Sequence, residues 1–211
     1  MFKTIEKEAE GIIVEKKSKF IANIYYVESE EEAEEILNSI RKKYHDARHH
    51  CFAYRIYEDG QIISRQSDDG EPSGTAGAPI LNILEKNEFT NALLVVTRYF
   101  GGILLGTGGL VKAYSDASKE AINNSKIIYK EEGYELEVVL GYEYISDFEH
   151  FCLQNDMRVI NKEFTDKIKL LVEISKESYN KTVEKNLKDY YQNLPTRIFK
   201  EKFITINGKS C

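Results

Sequence analysis

The chain has 211 residues and a mass of 24.3 kDa, long enough for one large domain or two small ones around a substantial core. Its 42% hydrophobic and 30% charged residues, with only 3 prolines, exclude a disordered or fibrous chain. The net charge of -6 and the pI of about 5.4 exclude the strongly basic surface of general nucleic-acid binders.

The cysteines and the apolar segments indicate the cellular compartment in which the protein is expected. The three cysteines are far apart and form no C-x-x-C pair, so they indicate neither a disulfide framework nor a zinc knuckle. The N-terminal residues lack the apolar core of a signal peptide, and no apolar run approaches the length of a membrane span. We therefore expect a cytoplasmic protein with no membrane role.

The first part of the chain alternates strand and helix patterns. Residues 11–14 and 20–27 predict two strands, and a helix follows with Ser29 as N-cap and Glu32 completing a capping box. Two further strands are expected around the turn at Asp59 and Gly60. A polar loop, a short helix at 79–85 and a buried strand at 92–96 come next. A long helix would then start at Thr107 as N-cap and bury one stripe: Leu110, Tyr114, Ala117, Ala121 and Ile122.

The second part predicts the order strand, helix, strand, strand, helix, strand. The strands are placed at residues 134–140, 157–164, 168–174 and 198–206, the last after Pro195. The helices are marked by two apolar sets, namely Ile145, Phe148 and Cys152, then Tyr179, Val183 and Leu187. This order is that of a ferredoxin-like domain. Charges and a glycine at residues 130–133 interrupt the apolar pattern, so the predicted domains are 1–130 and 131–211.

Eight of the 13 glycines lie between Gly70 and Gly109, which suggests a phosphate-binding loop. A P-loop requires a lysine after its last glycine, but Thr107 follows Gly106; a dinucleotide fingerprint requires a glycine where Val111 stands. Two interpretations remain open. The free N–H groups between Gly106 and Gly109 could bind an anion, helped by Arg98 and Lys112. Alternatively, the two glycine pairs 101–102 and 108–109 serve a tight bend and close helix–sheet packing.

Two other segments carry candidate chemistry. Asp68, Asp69 and Glu71 could in principle hold a hard cation or transfer a proton, although calcium-loop spacing is absent and these residues are also common in turns. Neighbouring residues of a strand face opposite sides, so His49 and His50 are not expected to share a metal ion. No metal site is therefore predicted. Ser73, Thr75 and Cys51 are candidate nucleophiles with His50 as a base, but no nucleophile-elbow motif is present.

Three motifs together resemble the IMPACT/YigZ family. They are HHCFAY at 49–54, SDDGEPSGTAG at 67–77 and VTRYFGGILLGTGGLVKAY at 96–114, and the remainder of the chain resembles the small second domain of bacterial members. The signature positions in this sequence are His50, Asp68, Asp69, Gly70, Glu71, Arg98, Tyr99, Gly101, Gly102, Gly106, Gly108, Gly109 and Lys112.

The resemblance implies an α+β protein with two domains. The first would have the left-handed βαβ fold of a ribosomal protein, elongation factor G and the GHMP kinases; the second would be ferredoxin-like, as in the last domain of elongation factor G. Eukaryotic members of the family regulate translation by competing for a coactivator of an initiation-factor kinase through an extra N-terminal domain. That partner is not carried over, since this chain begins almost directly at the IMPACT-type domain. The family implies no catalytic residues and no cofactor.

Two functions follow from these patterns. The first is a non-enzymatic translation factor that binds RNA or the ribosome, with a protein partner left open. Its anion or nucleic-acid site would be the arginine, the glycine-rich turn and the lysine: Arg98, Gly101, Gly102, Gly106, Thr107, Gly108, Gly109 and Lys112. The alternative is an enzyme for a phosphorylated or other anionic small molecule. Gly106 to Gly109 would hold the anion at the helix N-terminus and Arg98 would neutralise it, while Asp68, Asp69 or His50 would move a proton; Glu71 is a further secondary candidate. A shared cleft for the acidic loop and the Arg98 turn would favour the enzyme.

Overall fold

The computed structural model describes residues 1–183 and 196–206. The chain is mixed α/β, with more strand than helix, and divides into two compact units, Phe2–Tyr129 and Lys130–Cys211 together with Met1. Within the described residues, no helix is long and apolar enough to cross a membrane.

An antiparallel sheet in the order β2-β3-β6-β4-β5 forms the centre of the first unit. A short strand that the sequence did not predict, β1 (Phe2–Ile5), precedes it. The sheet strands are β2 (Ala9–Glu15), β3 (Ser18–Tyr26), β4 (His49–Glu58), β5 (Gln61–Ser67) and β6 (Ala92–Tyr99). Because β3 and β4 both pair antiparallel with β6, they run parallel to each other, and α1 (Glu30–Lys43) connects them.

Helices cover both faces of this sheet. α1 packs on one face through Ala33, Leu37 and Ile40. α2 (Gly77–Lys86) and α3 (Gly106–Asn123) pack on the other, and the predicted stripe of α3 is buried. The predicted capping box is formed in a modified way. Ser29 Oγ accepts the Glu32 N–H at 3.2 Å, whereas the Glu32 carboxylate accepts the N–H of Glu28 at 2.7 Å.

Two expectations about α3 are wrong. The helix begins at Gly106 with Leu105 as its cap residue, because Gly106, at φ +73°, already turns the chain; Thr107 is therefore inside the first turn and exposed. Gly108 and Gly109 do not permit helix–sheet packing either. A Cβ on Gly108 would meet nothing within 4 Å, and one on Gly109 would meet only the Leu105 side chain. The close approach is made by Gly11 of β2, whose Cβ would lie 2.3 Å from the Ala121 nitrogen.

In the second unit, four strands pair antiparallel in the order β10-β7-β9-β8, and β1 also pairs with β7, which makes this sheet five-stranded. They are β7 (Ile127–Leu140), β8 (Arg158–Phe164), β9 (Ile168–Ser175) and β10 (Thr196–Thr205). After a 3-10 turn at Tyr142–Tyr144 comes α4 (Ile145–Gln154), and α5 (Lys176–Ser178) continues as a π-helical turn, Tyr179–Val183. The predicted positions Leu187 and Pro195 lie outside the described residues. β7 starts at Ile127, before the strand predicted at 134–140, and runs through residues 130–133, because a strand can place alternate side chains away from the core. The predicted domain bounds stay a prediction.

Candidate functional site

One end of the first sheet gathers the residues that the sequence singled out. The β2–β3 hairpin closes there at Ser18, and Lys19 pairs with Tyr99 at the end of β6. His49 at the start of β4 pairs with Arg98, while Phe52 pairs with Ser67 at the end of β5. The acidic loop therefore leaves the sheet at the same end at which the glycine-rich turn begins.

The acidic loop and β6 meet in a buried ion pair. Arg98 Nη1 lies 2.6 Å from Glu71 Oε1, and the two side chains are only 7% and 4% exposed. The same carboxylate oxygen accepts the Tyr114 hydroxyl at 2.8 Å, and the Cys51 sulfur lies 3.3 Å from that hydroxyl. The guanidinium lies between the rings of Phe20 and Phe100, 5.4 Å from each centroid. Arg98 is therefore neutralised inside the protein rather than presented to a ligand.

Cys51 is held as a neutral thiol. Burial raises its pKa to about 12, despite the hydrogen bond with Tyr114. Its sulfur also lies 2.9 Å from the Asp68 carbonyl oxygen. Since the thiolate is the nucleophilic form, Cys51 is unsuited to nucleophilic catalysis near neutral pH.

Asp68 caps α2 from a distance. Ala76, the cap residue of that helix, offers no side-chain cap, and Asp68 Oδ1 instead accepts the N–H groups of Ala76 at 2.9 Å and Gly77 at 2.8 Å. Asp68 Oδ2 accepts the Gly74 N–H at 2.8 Å. Burial alone would raise the Asp68 pKa, but these three donors outweigh it and the pKa lies below its usual value. This carboxylate is therefore occupied by the backbone that it orders.

Asp69 and the two histidines bind the same loop to β4. Asp69 Oδ2 accepts the His50 N–H at 2.6 Å, and the Asp69 carbonyl oxygen lies 2.8 Å from His49 Nδ1. His50 points to the other face of the sheet, where its Nδ1 lies 3.2 Å from the Thr97 hydroxyl. Burial lowers the pKa of His50, so the imidazole is neutral near neutral pH. The described residues contain no cluster of three or more His, Cys, Asp or Glu side chains that could hold a metal ion.

Gly101 fits the hairpin against the start of the glycine-rich turn. A Cβ at this position would lie 2.1 Å from the Lys17 carbonyl carbon, and the Gly101 N–H donates to Ser18 Oγ at 3.1 Å. Gly102, at φ +82°, then turns the chain in open space. The structural interpretation of this first glycine pair is therefore correct.

Lys112 is not part of the buried ion pair between Arg98 and Glu71. It is exposed on α3 and pairs with Asp116 at 3.5 Å. Together with Lys16, Glu15 and Leu105 it lines a cleft of about 90 Å³ between β2 and α3. Arg98 and Lys112 thus each have their own carboxylate partner, and an anion site that uses both stays a prediction.

Ser18 and Tyr114 belong to this site but were not predicted as site residues. Ser18 is fully buried, and its hydroxyl lies 3.5 Å from Arg98 Nη2 as well as accepting the Gly101 N–H. Tyr114 was expected only as part of the apolar stripe of α3. A hydroxyl in a stripe that is otherwise aliphatic is the one sequence signal that could have indicated its bond to Glu71.

Comparison with known proteins identifies the family. The model of the Impact N-terminal domain matches residues 16–122, which include every residue of the site described above except Glu15 at the cleft. IMPACT family member YvyE of Bacillus subtilis is 36% identical over 208 residues, covering 98% of this chain and 88% of the relative. This chain belongs to the IMPACT family.

Two further matches extend over both units. IMPACT family member YigZ of Escherichia coli is 38% identical over 151 residues, covering 71% of this chain and 74% of YigZ. A crystal structure described as a hypothetical protein shares 32% identity, with a TM-score of 0.64 over 95% of this chain and 98% of its own. In this chain, the signature residues in and beside the acidic loop bind other parts of the protein. Glu71 and Arg98 bind each other, and Asp68 binds backbone N–H groups.

Proposed function

We propose that this IMPACT family chain regulates translation without catalysing a reaction, by binding RNA or the ribosome in the cytoplasm. The contact would be made by the sheet end that carries Arg98, the glycine-rich turn and Lys112. Family membership supports the link to translation, because the resemblance implies that role for eukaryotic members. The net charge of -6 means that such contacts would be local.

The acidic loop and the Arg98 turn do meet, as the enzyme would require, but they meet in a buried ion pair. One observation supports binding over catalysis: the candidate catalytic groups are engaged inside the protein. Glu71 neutralises Arg98, Asp68 caps α2, and Asp69 holds the backbone of His50. A general acid or base has to reach a substrate proton, and a nucleophile requires an accessible, activated side chain. These residues instead order the loop and the turn beside it.

The proposal extends to the fold and the domains. Residues 1–130 would be the IMPACT-type domain, with the left-handed βαβ fold that the family resemblance implies. The parallel pair β3 and β4 joined by α1 supports the βαβ crossover itself. Residues 131–211 would be a ferredoxin-like domain resembling the last domain of elongation factor G. The strand order β10-β7-β9-β8 supports it, since the strands stand fourth, first, third and second along that unit.

Sedimentation with ribosomes tests the proposal. Purified protein is centrifuged with 70S ribosomes through sucrose at about 50 mM and about 200 mM salt, since phosphate contacts weaken steeply over this range. We expect the protein in the ribosomal pellet at low salt and less of it at high salt. Protein that stays in the supernatant at low salt, and that shifts no RNA in a gel, would contradict the proposal.

A second candidate is supported by the cleft beside α3. Two lysines and two carboxylates line it, namely Lys16, Lys112, Glu15 and Asp116, and such a site suits an enzyme for a small anionic molecule. Its volume of about 90 Å³ is well below the roughly 300–1,000 Å³ of most small-molecule sites, which favours the first candidate. A thermal-shift screen of nucleotides and phosphorylated metabolites at millimolar concentration tests the enzyme. A ligand at 100 times its Kd would stabilise the protein by about 2.7 kcal/mol, and no shift with any ligand would contradict this candidate.

A further inference from the structure

The turn after β6 exposes an aromatic ring in a fixed position. Phe100 is 51% exposed, although the Arg98 guanidinium carbon lies 5.4 Å from the centroid of its ring. The cation is itself immobilised by Glu71, so the contact orients the ring and leaves half of the side chain accessible. Ile103 and Leu104 extend the apolar surface of the same turn, and Leu104 is 82% exposed.

Lysines flank this ring on the neighbouring hairpin. Lys16 and Lys17 form the tip of the β2–β3 hairpin with positive φ angles of 44° and 66°, which residues other than glycine adopt rarely. The backbone of Lys17 abuts Gly101, the residue directly after Phe100. Within residues 1–183 and 196–206, neither lysine forms an ion pair. Lys112 stands across the cleft from Lys16.

We propose that this surface, formed by Phe100, Leu104, Lys16, Lys17 and Lys112, binds single-stranded RNA. A base would stack on the accessible side of the Phe100 ring, and the flanking phosphates would contact the lysine ammonium groups. This rests on the proposed function and specifies its ligand. Aromatic rings beside a cationic track are the arrangement with which proteins bind single strands regardless of sequence.

Charge favours RNA over a protein partner at this surface. Lysine is depleted in protein–protein interfaces, whereas lysine and arginine supply most phosphate contacts. The hairpin sequence Glu15-Lys16-Lys17-Ser18-Lys19 is net positive in a chain whose net charge is -6. The hairpin tip beside the exposed aromatic ring is therefore locally positive.

Fluorescence anisotropy with a labelled oligouridylate of about 12 nucleotides tests this inference on the full chain. We expect binding that Phe100→Ala weakens about tenfold and that Phe100→Tyr retains, because only the first removes the stacking ring. Lys16→Ala combined with Lys17→Ala should lower the slope of log affinity against log salt by about 1.4. Circular dichroism verifies that each variant is folded.

Matched controls use residues that are not part of this surface. Phe164→Ala removes another exposed phenylalanine, and Lys86→Ala removes an exposed lysine at the end of α2; both should bind the oligonucleotide as the parent does. Absence of oligouridylate binding, or equal binding by the Phe100→Ala variant, would overturn the inference. If ribosome sedimentation persists in that case and Phe100→Ala abolishes it, the surface binds a ribosomal protein and the proposed function stands. If sedimentation is absent as well, both fail.

Discussion

The buried ion pair between Arg98 and Glu71 gives the most specific stability prediction. Arg98→Met removes the cation and leaves the Glu71 carboxylate, which is only 4% exposed, with the hydrogen bond from the Tyr114 hydroxyl. Removing one partner of a buried pair costs about 3–5 kcal/mol, because the other charge stays desolvated. For a unit of this size, we expect the melting temperature of the first unit to fall by roughly 10–20 °C at neutral pH.

Differential scanning calorimetry on the full chain measures this loss. Adding Glu71→Gln to Arg98→Met should recover a large part of it, since the amide still accepts from Tyr114 and carries no charge. Lys112→Met is the matched control: it breaks an exposed pair and should change stability by less than about 0.5 kcal/mol. If Arg98→Met lowers the melting temperature no more than Lys112→Met does, the ion pair does not hold the loop in place.

Four more substitutions test the account, and one of them, Gly108→Ala, is a control. Asp68→Ala should lower the free energy of unfolding in urea by about 1–2 kcal/mol and flatten the dependence of this free energy on pH. A carboxylate whose pKa is lowered by folding stabilises the protein above its unfolded pKa, and this stabilisation is lost as the pH falls. Gly101→Ala should cost at least about 2 kcal/mol by colliding with Lys17, whereas Gly108→Ala, in open space within α3, should stabilise by up to about 1 kcal/mol. Lys202→Met should destabilise the second unit by roughly 1–3 kcal/mol, less at acidic pH, because Glu135 loses its lysine beside Glu173 across β7 and β9, while Glu173 keeps Arg158.

Most strands and helices could be predicted from the sequence, because apolar residues recur at the spacing typical of each element. Local spacing predicts the apolar stripe of α3 and the capping residue Ser29, and the structure confirms both. The start of α3 was misplaced because Thr107 is a good N-cap by type, while the positive φ at Gly106 that begins the helix leaves no side-chain signal. β1 was missed because its four residues are too few to show alternation.

Most members of the site were predictable from the sequence, although Ser18 and Tyr114 were not, and none of the contacts between the members was predictable. Spacing pointed to Asp68, Glu71 and Arg98, but each was considered for a ligand because sequence cannot show that two charges neutralise each other. The pairing of Glu71 with Arg98 joins residues 27 positions apart, and it depends on the register of β4 against β6. Gly11, which the packing of β2 against α3 requires, lies outside the glycine-rich segment, and its neighbour Ala121 is distant in sequence.

Titration of the protein into a cell-free translation reaction tests the central claim most directly. Binding without catalysis predicts that reporter synthesis changes in proportion to the ratio of protein to ribosomes and saturates near stoichiometric amounts. Asp69→Asn, which alters a candidate catalytic carboxylate while keeping an oxygen that can accept the His50 N–H, should retain this effect. No change in synthesis at any ratio would contradict the account. So would a full effect at a small fraction of the ribosome concentration, if Asp69→Asn abolishes that effect.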